Sequence, residues 1–83
     1  VSSQPATVTV HYWAAARAAT GVESETVEAG RLGDLLAALA LRHSELERVL
    51  QVASVLVDGV QSEPDVIVNA GSSVEILPPF AGG

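Results

Sequence analysis

The side chains missing from this sequence narrow its chemistry more than those it carries. It has no cysteine, and its four basic side chains are all arginines, so it has no lysine either. That removes disulfides, thiolate nucleophiles, thiolate-bound zinc and Schiff-base chemistry on a side-chain amine. The two histidines, His11 and His43, stand far apart with no carboxylate at a metal-binding spacing, so no metal site is expected. A general acid–base pair could be assembled from a histidine and a carboxylate, but nothing in the pattern asks for one. What remains is the end of the sequence, Leu77-Pro78-Pro79-Phe80-Ala81-Gly82-Gly83. Two prolines hold such a segment extended and two glycines leave its tip without Cβ atoms. A carboxylate on that narrow stem can enter a channel too tight for other residues. It is a poor electrophile and something else must activate it; the plainer reading of Gly82-Gly83 is a frayed end whose glycines carry no role.

A stem of this kind needs a rigid body to project from. Thr7 to Trp13 alternates, with Val8, Val10 and Tyr12 on one face and Thr9, His11 and Trp13 on the other, which predicts a half-buried strand. Ala14 to Ala19 reads as an alanine-rich link broken at Thr20-Gly21. Glu25 to Glu28 predicts a short strand with Val27 inward and solvated acidic neighbours. Leu32, Leu35, Leu36 and Leu39 recur at helical spacing and define one apolar stripe, closed by Arg42 and His43 near the helix end. Ser44-Glu45-Leu46-Glu47 has the form of a capping box opening a second short helix through Leu50. Asp58-Gly59 between Ser54–Val57 and Val60-Gln61 predicts a tight hairpin. Val66-Ile67-Val68 is a short apolar stretch, and Ser73 to Leu77 is the last strand, with Val74 and Ile76 inward and Pro78-Pro79 ending it. This order predicts an α+β domain with one main helix across a mixed sheet, for which the β-grasp is the best-matching small fold. The expected organisation is an N-terminal arm over 1–6, the domain over 7–77 and the extended tail over 78–83.

Eighty-three residues suffice for one small domain, and an apolar content of 48 % argues against disorder. A net charge of −6 repels phosphate backbones, so nucleic acid is not an expected partner, while a basic protein surface is attracted. No segment reads as a membrane span or signal peptide, which makes the cytoplasm the expected compartment. If the first and last strands run parallel and side by side, Trp13 and Leu77 share one end of the outer sheet face. With Phe80 they would then form an apolar docking patch at the root of the tail. Arg17 is expected to pair with a nearby acid, and the cluster Glu23, Glu25 and Glu28 to be solvated.

The segments Val8-x-Val10-x-Tyr12-Trp13-Ala14-x-x-Arg17, Leu32-Gly33-Asp34-Leu35-Leu36-x-x-Leu39, Val57-Asp58-Gly59 and Val74 to Gly83 together resemble the MoaD/ThiS family of β-grasp sulfur carriers. The likeness spans Val8 to Gly83 and leans toward the MoaD branch, the small subunit of molybdopterin synthase. Ala18 and Asn69 depart from that branch, which often carries Glu and Asp at these places. The resemblance implies a cycle. A MoeB-like enzyme uses ATP to adenylate the Gly83 carboxylate, and a cysteine desulfurase or rhodanese supplies the sulfur that displaces AMP. By the same resemblance Gly83 is the reacting residue, and its thiocarboxylate, on the stem Pro78, Pro79, Phe80, Ala81 and Gly82, threads into the active site of a MoaE-like large subunit and gives its sulfur to the molybdopterin precursor. The chain would then bind no cofactor itself and serve as the sulfur-donating, non-catalytic subunit of a sulfurtransferase. The same carrier chemistry could instead serve thiamine or cysteine biosynthesis, and a ubiquitin-like modifier or a plain β-grasp interaction module are alternatives of other classes.

Overall fold

The computed structural model describes residues 6–79. Its elements are β1 (Thr7–Tyr12), α1 (Ala14–Thr20), β2 (Ser24–Glu28), β3 (Gly30–Arg31), α2 (Leu32–Arg42), α3 (Leu46–Leu50), β4 (Ser54–Val57), β5 (Val60–Gln61), β6 (Ile67–Val68) and β7 (Ser73–Leu77). Five strands form one mixed sheet in the order β2-β1-β7-β4-β5, and β3 pairs with β6 in a separate two-stranded ladder. This is a β-grasp fold. The first and last strands are neighbours at its centre and run parallel, with Val10 opposite Val74 and Tyr12 opposite Ile76. The other pairings are antiparallel.

Strand alternation decides which face is covered. Val8, Val10 and Tyr12 of β1, Val74 and Ile76 of β7, Val27 and Val55 all turn to the same side and are buried. Leu32, Leu35 and Leu39 of α2, with Leu46 of α3, close over them. Leu39 is fully buried, so truncating it to alanine would cost about 2–5 kcal/mol. The start of α2 has no side-chain cap. Its first N–H groups are satisfied by the loop ahead of β6: Leu32 donates to Val66 O and Gly33 to Pro64 O, each at 2.8 Å. Gly33, a weak helix former, sits where a Cβ would stand 3.3 Å from Pro64 Cβ. Its bareness lets that loop lie close.

Two expectations about the elements are corrected. The alanine-rich segment after Trp13 is a helix, α1, ended by Gly21 in the left-handed conformation (φ 78°), whose N–H donates to Arg17 O at 2.8 Å. Only Ala16 of α1 is buried, so the helix carries no large apolar stripe to announce it. The capping box at Ser44 does not form. Instead α3 follows Glu45 without a side-chain cap, and Leu46 N–H bonds His43 O at 2.9 Å while its side chain is driven into the core. The ladder of β3 with β6 went unforeseen on the β3 side, because two residues set no period. The Asp58-Gly59 hairpin forms as expected, with positive φ at both residues (49° and 82°), the signature of a type I′ turn. Among the described residues no helix is long and apolar enough to cross a membrane.

Candidate functional site

The root of the tail is built by β1 and β7. Their parallel pairing is continued by Trp13, whose N–H donates to Ile76 O at 3.3 Å. Trp13 keeps extended backbone angles (φ −116°, ψ 147°), so its side chain falls opposite the buried Tyr12, and it is 47 % exposed. Leu77, at the same end of the sheet, is half-buried. Pro78 is buried and Pro79 exposed, so the surface boundary of the tail lies between the two prolines. Phe80, Ala81, Gly82 and Gly83, on which the chemistry and part of the docking patch were placed, lie outside the described residues, as does the arm over 1–5.

Around Trp13 the surface dips into an open hollow of about 310 Å³, bordered by His11, Arg17, Glu23 and Ser24. Arg17 pairs with Glu23 at 3.3 Å, with both side chains more than half exposed, so the pair contributes at most about 1 kcal/mol. Among the described residues no group of three or more His, Cys, Asp or Glu is placed to hold a metal ion.

One member of the acidic cluster is not solvated. Glu25 turns to the inner side of β2 and retains only 20 % side-chain exposure. The Tyr12 hydroxyl donates to its Oε2 at 2.5 Å, His43 Nε2 lies 2.5 Å from the same oxygen, and Arg42 Nη1 donates to Oε1 at 3.0 Å. The short contact to a carboxylate oxygen makes His43 Nε2 the protonated nitrogen. Arg42 also bonds Thr26 O at 2.9 Å, an outward carbonyl of the edge strand β2. Burial by itself would raise the Glu25 pKa, but the three donors outweigh it and hold the carboxyl below its usual range. Tyr12 is pushed well above the usual phenol range, first by burial and then by the adjacent Glu25 carboxylate. Sequence reasoning missed this constellation because its members come from three elements and lie 13 to 18 positions from Glu25.

The β-grasp arrangement, a sheet with parallel first and last strands and one main helix across it, is shared with solved structures. The model of the ThiS family matches residues 10–83. The chain belongs to the ThiS family. It is thereby a ThiS/MoaD-like β-grasp protein of the sulfur-carrier superfamily. No curated protein matches the chain significantly. Among solved structures it is similar to one from Pyrococcus furiosus described as molybdopterin converting factor subunit 1, at 25 % identity and a TM-score of 0.81, over 89 % of this chain and 98 % of that one. It is equally similar to the small archaeal modifier protein 1 of Haloferax volcanii, at 25 % identity and a TM-score of 0.81, over 93 % and 99 % of the two chains. A third likeness is to the BexX/CysO complex of Amycolatopsis orientalis, at 26 % identity and a TM-score of 0.72, over 92 % and 99 %. The ThiS-family chain is thus as near to a protein modifier and to a CysO complex as to a molybdopterin factor.

Proposed function

We propose that this chain is a sulfur carrier whose working group is the C-terminal carboxylate of Gly83. A carboxylate oxygen attacks the α-phosphorus of ATP on an activating enzyme, pyrophosphate leaves, and an acyl-AMP forms. A hydrosulfide equivalent from a sulfur donor then attacks the acyl carbon, AMP departs, and a thiocarboxylate remains. The observation that carries this reading is the family match running through to Gly83, on a fold whose last strand lies at the sheet centre and ends beside Trp13. The lack of cysteine and lysine fits it, since no side-chain thiol or amine of the same chain competes for the activated acyl group. In this reading Trp13, Leu77 and Phe80 dock the partner, Pro79 to Gly82 form the inserted stem, and the buried Pro78 anchors it. The need for ATP suits the cytoplasm.

The recipient of the sulfur is a separate question. The converting-factor likeness, together with the Pro-Pro-Phe-Ala-Gly-Gly tail, favours molybdopterin synthesis with a large subunit. The likeness to the CysO complex at matching identity favours a small-molecule acceptor elsewhere in sulfur metabolism, and the likeness to the archaeal modifier favours lysine conjugation. We therefore place the shared carrier chemistry first and molybdopterin synthase as one recipient among these.

Intact-mass spectrometry of the protein ending at Gly83, after incubation with ATP, a MoeB-type activating enzyme and a sulfur donor, is the test. The expected result is a gain equal to replacing one oxygen by sulfur, abolished when Gly83 is deleted. No gain from an enzyme set that loads a control carrier would overturn the carrier reading, and adducts on target lysines would replace it with the modifier. Incubating the loaded carrier with a MoaE-like large subunit and pyranopterin precursor then reads the recipient, since sulfur leaves the carrier only if that acceptor is right.

A further inference from the structure

Trp13 is held in place by something other than its own contacts. Ala14, the next residue, has φ 48°, a left-handed conformation that costs a residue with a Cβ. Such strain persists only where the surroundings over-determine it, and it gathers at functional sites. Here the chain is fixed on both sides of Ala14. After it, the Ala16 N–H bonds Trp13 O at 2.9 Å and begins α1, which packs on α3. Before it, the Tyr12 N–H bonds Glu23 O at 2.9 Å and the Trp13 N–H bonds Ile76 O. The Tyr12 side chain runs into the core and is pinned at its far end by Glu25, which His43 and Arg42 hold in turn. Tyr12 also meets the His43 ring edge-on, with centroids 6.2 Å apart. Letting Ala14 relax to an ordinary φ would rotate the Trp13 peptide against α1 and re-aim the indole.

We propose that Glu25, acting through Tyr12, is a positioning residue that keeps the strained Trp13–Ala14 joint closed and so sets how Trp13 is presented to the carrier's partner. This rests on the carrier reading above. Glu25 touches no reacting atom. Its effect falls on recognition of the activating enzyme and not on the chemical step.

The test compares Glu25→Gln, Tyr12→Phe, Ala14→Gly and the Glu25→Gln/Ala14→Gly double variant with Val68→Ala, a buried change in β6 at a residue that makes none of the network's hydrogen bonds. Each is assayed for the dependence of thiocarboxylate formation on carrier concentration, with a MoeB-type enzyme, ATP and sulfide. Acrylamide quenching of Trp13, the sole tryptophan, is measured on the free proteins. The expected result is a KM raised about threefold or more, with kcat unchanged, and altered quenching for Glu25→Gln and Tyr12→Phe, and wild-type values for Ala14→Gly. Val68→Ala should change neither at a temperature where all variants are folded. Ala14→Gly is the sharpest variant: glycine adopts a positive φ without cost, so the change should keep the joint closed and, combined with Glu25→Gln, bring KM back toward the wild-type value, a combination that general destabilisation does not produce. An unchanged KM in Glu25→Gln, a KM in the Glu25→Gln/Ala14→Gly double variant as high as in Glu25→Gln alone, or an equal rise in Val68→Ala would overturn the proposal. If the wild type forms no thiocarboxylate, the carrier reading has failed, and the quenching comparison alone decides whether Glu25 governs Trp13.

Discussion

Glu25 shows what a residue's neighbours do to its chemistry. A carboxylate on a strand among other acids reads as solvated, yet Tyr12, His43 and Arg42 converge on it. Its partners are remote in sequence, and no local spacing announces them, so this part of the site was illegible before the fold was known. Trp13 was legible, because alternation along β1 puts it opposite Tyr12 whatever the rest of the chain does. Removing the Tyr12 hydroxyl as Tyr12→Phe takes a hydrogen bond from a charged acceptor and should cost about 1.5–3 kcal/mol, read by urea unfolding at neutral pH. Because Glu25 is held below its ordinary pKa, its stabilisation is complete above the unfolded-state value of about 4.3 and is lost as pH falls through the lower folded-state value. The acid limb of the stability–pH curve should therefore be shallower in Glu25→Gln than in the wild type. An identical limb in the two proteins would mean that Glu25 is not the titrating group.

Elements were legible in proportion to their period. The helix α2 announces itself through Leu32, Leu35 and Leu39, and the β4–β5 hairpin through Asp58-Gly59. The helix α1 is silent, since alanine supplies propensity without an apolar stripe and its stop, Thr20-Gly21, reads equally as the end of a link. Its left-handed Gly21 makes a clean test, because a Cβ there would meet nothing within 4 Å and the effect is purely one of backbone. Gly21→Ala should lower stability by about 1–2 kcal/mol. Gly59→Ala is expected to do the same at the hairpin, where nothing stands near the new Cβ either. Thermal unfolding of the two variants checks both. Asp58 adds a tie of another kind: its Oδ1 accepts the Ser73 N–H at 3.0 Å, and that bond lowers its pKa first, with Ser72 adding to it. Through it the hairpin tip is joined to the first residue of β7.

At the scale of the molecule, charge and topology divide the work. The net charge of −6 surrounds the proposed docking end, whose own Arg17 is neutralised by Glu23, so attraction to a basic partner would come from the whole body and not from one pair. Association of the carrier with an activating enzyme should slow as salt rises from about 0.05 to 0.5 M, with a smaller change in the dissociation rate, measurable by stopped-flow fluorescence of Trp13. A salt-independent on-rate would place recognition in the apolar patch alone. The β-grasp arrangement was legible from the order of elements, because a terminal strand ending in two prolines and a long helix between strand pairs leave few ways to bury Val8, Val10, Val74 and Ile76 together.

The parallel pairing of β1 with β7 also bears on how the protein is made. Its central ladder joins residues separated by nearly the length of the domain, a non-local pairing whose loop-closure entropy slows folding. During synthesis β1 waits on the ribosome without its neighbour until β7 has emerged. Trp13 and Leu77 come together only when that ladder closes, so an enzyme that grips both would adenylate folded molecules and pass over nascent ones. The topology would then act as a proofreading step, spending ATP and sulfur only on chains that have folded to the end.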